Sequence, residues 1–310
     1  MSAEISNVVI TGGSGLVGKA LTDMLIKAGY GVRWLVRNPQ SKSIPAEVKA
    51  FRWSPSEGYC DPAVWTNTHT LIHLAGENVG AVRWTADRKK KILDSRVEGT
   101  RVLKQALDQH GAGVQTVIAA SATGYYGNQP AGTLLSEDAP QGDDFLSHVT
   151  AAWEAETAKL GLGRQLVQLR IGVVLSPSGG ALEKMAAPVR LGMGAPLGSG
   201  EQMMSWIHIH DLCRMILFGM EHVEMAGVYN AVAPQSVSNR LFTRALAKAL
   251  HKPLWLPPVP AFVLRLILGE MSAIVLDGAS VDPSRILSAG FRFEYDVLDR
   301  ALEDLLAAKS

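Results

Sequence analysis

Gly12, Gly13, Gly15 and Gly18 carry the spacing in this 310-residue chain that most directly implies chemistry. They punctuate the run Val8-Val9-Ile10-Thr11-Gly12-Gly13-Ser14-Gly15-Leu16-Val17-Gly18. A glycine turn lets backbone N–H groups approach a pyrophosphate that no Cβ obstructs, and a following helix aims the positive end of its dipole at the same charge. The expected chemistry is the holding of a dinucleotide, with Gly12, Gly13, Ser14, Gly15, Leu16, Val17 and Gly18 as its cradle. No Lys-Ser or Lys-Thr pair closes the turn, so it is not a Walker A loop. Leu16 stands where a nucleophile elbow needs its second glycine. The same glycines in a plain turn would bind nothing. A preceding strand, a following amphipathic helix and a second strand at the expected distance favour the dinucleotide.

Arg37 bears on which dinucleotide. The second strand, Val32 to Val36, ends in Leu35-Val36-Arg37-Asn38-Pro39, with no acid before Glu47. An NAD site usually places Asp or Glu there for the ribose 2′-hydroxyl, whereas an NADP site offers Arg to the 2′-phosphate. Arg37 therefore points to NADP, against the alternative of a solvated surface arginine. His208 and His210, at i and i+2 on a strand, would share a face as a metal pair does. No third ligand is adjacent, so no metal is expected.

The elements that must position these residues alternate. Asn7 to Ile10 reads as a buried strand, and Val17, Leu21, Met24, Leu25 and Ala28 fall at helical spacing until Gly29. Val48 to Trp53, Thr70 to Ala75, Val114 to Ala120 and Leu166 to Leu175 read as further strands. Helices are expected from Ala86 to Leu107 and from Thr150 to Lys159. Arg88-Lys89-Lys90-Lys91 reads as a solvated helix face. The fold class is α/β, a doubly wound parallel sheet of Rossmann type with ligands at the C-terminal strand ends and a smaller C-terminal substrate lobe. The expected division is 1–235 for the NADP-binding domain, with part of the substrate cleft from 176–205, and 236–310 for the lobe. Within the lobe, Asn239 to Leu250 reads as a helix capped by Ser238, followed by Ala261 to Leu268 and about Val297 to Ala307.

Composition fits a cytoplasmic enzyme. With 47% hydrophobic and 19% charged residues, the chain can bury a large core. Thirty basic and 29 acidic side chains leave a net charge of +1, which gives no electrostatic case for nucleic acid or an anionic membrane. Two cysteines, Cys60 and Cys213, make neither a disulfide framework nor a cysteine metal site. Met1 to Ser6 is too short and polar for a signal peptide. Val259 to Leu276, interrupted by Arg265, Glu270 and Asp277, reads as lobe core rather than a membrane span. The expected partner is a small-molecule substrate, and the expected state a monomer or homodimer.

Several segments together carry a resemblance. They are Thr11 to Gly18, Leu74-Ala75-Gly76-Glu77-Asn78, Ser95-Arg96 with Gly99-Thr100, Ser121 to Gly127, Arg170 to Leu175, Gly192 to Gly200 and Trp206-Ile207-His208-Ile209. In this order they resemble the extended or atypical short-chain dehydrogenases/reductases, in the sugar-nucleotide epimerase-like branch called the epimerase family, whose C-terminal lobe is a domain of unknown function. The resemblance implies that Leu74, Ala75 and Gly76 lie along the cofactor and that Val174 packs near the nicotinamide. It implies that Arg96 stands where extended relatives commonly have an asparagine and reaches the cofactor phosphates instead, with Lys91 assisting or simply exposed. A substrate would sit under the loop Leu191 to Gly200, with His208 facing the cleft. Asp211 would cap the helix that follows.

The chain departs from that family in its catalytic pair. Short-chain dehydrogenases resemble one another in a Tyr-x-x-x-Lys pair, whose lysine lowers the tyrosine pKa for proton exchange. None of the six tyrosines here has lysine four residues on. Aligning Glu154 with the family's glutamate puts Leu146 and Thr150 where Tyr and Lys should stand. Ser121 matches the serine that bonds the substrate oxygen, or else caps a buried strand. Tyr125 or Tyr126 is the candidate substitute acid, Tyr126 also fitting a pocket-lining position, and His148 is a further candidate near the vacant position. Two function classes follow: an NADP-dependent oxidoreductase or epimerase acting on a small hydroxylated or nucleotide-linked substrate, or a catalytically idle NADP-binding regulatory or scaffold protein. Members of this branch have also carried a cell-division-inhibitor label.

Overall fold

The computed structural model describes residues 6–130 and 132–307. The segment Met1 to Ser6, read above as too polar for a signal peptide, lies outside them except for Ser6. Eight strands form the central sheet, in the order Gly227–Ala231, Gln165–Ile171, Thr116–Ala122, Thr68–His73, Asn7–Thr11, Gly31–Val36, Lys49–Ser54 and Tyr59–Cys60. Every neighbouring pair is parallel except the last, which is a short antiparallel return. The order reverses at Asn7–Thr11, which places the glycine turn at the switch point where doubly wound sheets hold ligands.

Successive strand residues point to opposite faces, so each apolar strand feeds two cores. Val8, Ile10, Trp34 and Ile118 pack on one side against Leu21, Leu25, Leu212 and Ile216. Val9, Leu35, Leu71 and Val117 pack on the other against Leu103 and Leu107 of the helix Ala86–His110. The helix Phe145–Ala158 begins five residues before the expected Thr150, because Asp144 caps it by accepting the Ser147 N–H at 2.8 Å.

The expected sixth strand divides at Gly172. A Cβ there would stand 2.5 Å from the Ser205 carbonyl oxygen, so the chain bends out of the main sheet. Val173–Leu175 then pairs with Trp206–His208 as a separate two-stranded sheet. The edge of the main sheet, beside Gln165–Ile171, is Gly227–Ala231, a strand that glycine and buried Asn230 concealed in the sequence.

Two expectations about the C-terminal region are corrected. The cap of the helix Ile209–Glu221 is His208, not Asp211: the His208 Nδ1 accepts the His210 N–H at 3.0 Å. Asp211, fully buried, instead accepts the backbone N–H groups of Glu294 and Tyr295 and pairs with Arg214. The segment Val259 to Leu276 is not lobe core. The helix Ala261–Leu268 buries none of its residues, and Phe262, Leu266 and Ile267 are exposed. Only Met271 and Ala273 of residues 259–276 pack on a buried cluster, that of Trp84, Ile92 and Val149, while Ala273, Ile274 and Val275 line a cavity. No helix among the described residues is long and apolar enough to cross a membrane.

Candidate functional site

The glycine turn folds into a space where side chains do not fit. A Cβ on Gly13 would lie 2.5 Å from the Trp34 indole, one on Gly18 would lie 2.3 Å from the Gly12 carbonyl oxygen, and one on Gly12 would lie 2.9 Å from the Leu74 carbonyl carbon. Trp34 is pinned there, its Nε1 donating to Thr22 Oγ1 at 2.9 Å and Thr22 donating in turn to the Gly18 carbonyl at 2.7 Å. The helix Leu16–Lys27 starts at Gly15 with no side-chain cap and no acid in its first turn. Its first N–H groups therefore point at an unclaimed position beside exposed Ser14 and Gly15, a cradle suited to a phosphate. Arg37 is exposed at the end of Gly31–Val36.

Beneath this turn a chain of hydrogen bonds fixes the loop after Thr68–His73. Thr11 Oγ1 accepts the Ala75 N–H at 3.2 Å and lies 2.7 Å from His73 Nδ1, and His73 Nε2 lies 3.0 Å from Thr100 Oγ1. Thr100 donates to the Arg96 carbonyl at 2.6 Å, so it must accept from His73, whose Nε2 therefore carries the proton. The Thr11 hydroxyl in turn donates to Nδ1. Burial, with repulsion from Arg96 second, lowers the His73 pKa to about 3, consistent with this neutral tautomer.

Arg96 does not extend into solvent toward a phosphate. Its Nη1 donates to the carbonyls of Glu77 and Ile92 at 3.1 and 3.0 Å, and its guanidinium lies 5.0 Å from the Trp153 ring. Burial lowers its pKa to about 10, with Glu77 opposing. Arg96 thus positions the loop Gly76-Glu77-Asn78, while Lys91 is exposed on its helix.

A cavity of about 640 Å³ opens beyond this loop, between the C-terminal strand ends and the residues that follow 196. Thr123, Gly124 and Val173 line it from the sheet side, and Gln202, Asn239 and Asp277 from the other. Val174, expected near the nicotinamide, packs with the core one residue beyond Val173. His208 does not face this cavity. It stacks on Tyr295 at 3.8 Å and its Nε2 pairs with Asp304 at 3.2 Å, so the ring faces the C-terminal helix Leu298–Ala307. His210 pairs separately with Glu294 at 2.8 Å.

The NAD dependent epimerase/dehydratase family matches residues 8–232, and a domain of unknown function (DUF1731) matches 259–305. The chain belongs to this epimerase family. It is 35% identical to the epimerase family protein YfhF of Bacillus subtilis over 97% of this chain and 98% of that one. It is 37% identical to the epimerase family protein SDR39U1 of Bos taurus over 97% and 99%. Among solved structures, human SDR39U1 (isoform2) with NADPH superposes with a TM-score of 0.87 at 32% identity, over 98% of this chain and all of that one. The Thermus thermophilus UDP-glucose 4-epimerase complex with NAD, at 20% identity and a TM-score of 0.77 over 98% and 100%, shares the fold.

Within this family fold the usual catalytic positions are otherwise engaged. Leu146, set at the tyrosine position by the alignment on Glu154, lines the cavity, and Thr150 turns its hydroxyl back onto the Leu146 carbonyl at 2.7 Å. Ser121 is buried outside the cavity and donates to Glu154 Oε1 at 2.5 Å. Tyr125 lies flat under the Arg170 guanidinium, 3.5 Å from its ring centre. Tyr126, expected to line the pocket, is fully buried, donating to Asn230 Oδ1 at 2.6 Å and accepting from Arg170. His148 is exposed to solvent on its helix. The polar groups that do line the cavity include Thr123, Asp144, Lys184, Gln202 and Asp277. Sequence reasoning missed Asp144, for which an N-cap aspartate before the apolar residues Phe145 and Leu146 was the available signal, whereas Asp277 has no local signal and reaches the cavity only through tertiary folding.

Proposed function

We propose that this protein is an NADP(H)-binding oxidoreductase or epimerase of the short-chain dehydrogenase type that acts on a small hydroxylated or nucleotide-linked molecule without a Tyr-x-x-x-Lys pair. The observation that carries the reading is the glycine turn, where a Cβ at Gly12, Gly13 or Gly18 would collide while the next helix keeps its first N–H groups uncapped. In this reading Gly12 to Gly18 hold the pyrophosphate, Arg37 holds the 2′-phosphate, and Leu74, Ala75 and Gly76 run beside the adenosine half. The family expectation for Val174 passes to its neighbour Val173, and Arg96 supports the loop from below. The cofactor, when bound, supplies or accepts hydride. Human SDR39U1, crystallised with NADPH, supports the choice of NADP(H). Residues 1–235 serve the cofactor, and 236–310 together with 176–205 shape the substrate cleft.

The second reading is a catalytically idle NADP(H)-binding regulatory or scaffold protein. It is favoured by Leu146 and Thr150 at the catalytic positions and by the engagement of Ser121 with Glu154. The two separate on turnover. Protein loaded with NADPH or NADP⁺ is mixed with nucleotide sugars, aldehydes and ketones, absorbance is followed near 340 nm, and products are analysed so that redox-neutral epimerisation is also seen. Conversion of any of them establishes the enzyme. Bound cofactor with no conversion across the panel supports the regulatory reading.

A further inference from the structure

The cavity abuts the glycine turn without sharing its residues. Gly180 lines the cavity, and a Cβ there would lie 2.8 Å from Leu16 Cδ2, at the start of the helix Leu16–Lys27. None of Gly12 to Gly18 lines it, nor does Arg37, so the phosphate-bearing part of a coenzyme does not use its volume. Val79, Trp84, Phe145, Met185, Leu197 and Ile274 supply apolar walls.

Most polar side chains in the lining hold the protein's own loops. Gln202 donates through Nε2 to the Leu197 and Val275 carbonyls at 3.0 and 2.8 Å. Asn239 Oδ1 accepts the Leu197 N–H at 2.8 Å, and Asn78 Oδ1 accepts the Gly80 N–H at 2.9 Å. The lining has two hydroxyls, Ser205 and Thr123. Ser205 donates to the Ala279 carbonyl at 2.9 Å and accepts the Val281 N–H at 3.0 Å. The Thr123 hydroxyl has no hydrogen-bond partner among the described residues. Thr123 directly follows the strand Thr116–Ala122, at the C-terminal strand ends where such sheets receive ligands.

The charges of the lining are set against an anion. Its one cation, Lys184, donates to the Gly80 carbonyl at 2.9 Å and stands with Asp144, Glu270 and Asp277. Gly180 and Ala181 bring the start of the helix Ala181–Arg190 to the cavity, but Glu183 occupies the first turn of that helix. Carboxylates accept a hydroxyl proton and offer nothing to a phosphate oxygen.

We propose that the substrate is an apolar alcohol or its ketone, with its oxygen anchored on the Thr123 hydroxyl, and that nucleotide-linked molecules are excluded. This rests on the cavity being the substrate site of the proposed function, and it narrows the hydroxylated or nucleotide-linked class to the first. A free hydroxyl donates to a ketone and accepts from an alcohol, while the apolar body meets apolar walls. A sugar ring would bury several hydroxyls where most side-chain amides are already engaged, and a diphosphate would add negative charge to an acidic lining.

Calorimetric titration of the full-length protein tests this with 4-phenyl-2-butanone in saturating NADP⁺, 4-phenyl-2-butanol in saturating NADPH, and UDP-glucose in each. In the first two pairings no hydride can pass, so the heat is that of binding. The ketone and the alcohol are expected to bind at least tenfold more tightly than UDP-glucose. Thr123→Val, which keeps the side-chain shape and removes the hydroxyl, should weaken both at least fivefold and change NADPH affinity less than twofold. Thr123→Ser should restore binding to within twofold of the wild type. UDP-glucose binding as tightly as the ketone, no heat from ketone and alcohol, or a Thr123→Val protein that binds both as the wild type does overturns the proposal. The ranking on the wild type needs no variant, so it decides even where Thr123→Val does not fold. NADPH heat is read first and the three probes are repeated without coenzyme, so failure of the cofactor reading is seen separately from failure of this one.

Discussion

Ser121 donates its hydroxyl to Glu154, and the same carboxylate receives Arg170 through Nε and Nη2 at 2.8 and 2.9 Å. Arg170 reaches on to the Tyr126 hydroxyl and the Glu137 carbonyl, both at 3.0 Å, so one buried ion pair ties together two strands, the helix Phe145–Ala158 and residues 126 and 137. With side chains 4% and 11% exposed, that pair is costly to break from one side. Glu154→Ala should lose about 3–5 kcal/mol in urea denaturation by stranding the guanidinium. Ser121→Ala should lose about 1 kcal/mol and leave NADPH affinity within twofold. A Ser121→Ala protein with full stability and abolished turnover would restore the hydroxyl to the chemistry.

Gly13 and Trp34 are matched in shape. Because the indole is fully buried and bonded to Thr22, a methyl group 2.5 Å away cannot be accommodated by rotating it. Gly13→Ala should cost about 1–3 kcal/mol and weaken NADPH at least tenfold. Gly29→Ala is the control: its Cβ would meet open space, but φ of +88° makes alanine strained by about 1–2 kcal/mol. Its NADPH affinity should be unchanged. Equal effects of the two on binding would remove the glycine turn from the site.

His73 makes stability depend on acid. Its folded pKa of about 3 lies below the unfolded value of about 6.5, so the unfolded chain takes up the proton first as pH falls. The contribution is fully present above about 6.5 and is lost toward pH 3, at up to about 1.4 kcal/mol per pH unit. His73→Gln should flatten the urea-derived stability profile between pH 7 and pH 5 relative to the wild type. Parallel profiles would show that another group sets the slope.

The parts of the fold carried by local periodicity were legible in the sequence. Continuous apolar runs marked the first strands, and the Ser238 cap and helix Ala261–Leu268 fell where turn chemistry put them. Features fixed by contacts remote in sequence were not. The bend at Gly172 depends on Ser205, and the burial of Asp211 on residues 294 and 295. The glycine turn was likewise local, whereas Asp277 belongs to the cavity only because Gly278 packs on Met203. Family position could not show the partner of Ser121, because its acceptor Glu154 lies 33 residues on and is brought to it only by the fold.

The reading of this chain rests on an NADP(H) site, and calorimetry with NADPH and NADH on the wild type and on Arg37→Asp tests it most directly. The wild type should bind NADPH at least tenfold more tightly than NADH, and Arg37→Asp should weaken NADPH at least tenfold while changing NADH less than threefold. Equal affinities in the wild type, or no heat from either coenzyme, would contradict it.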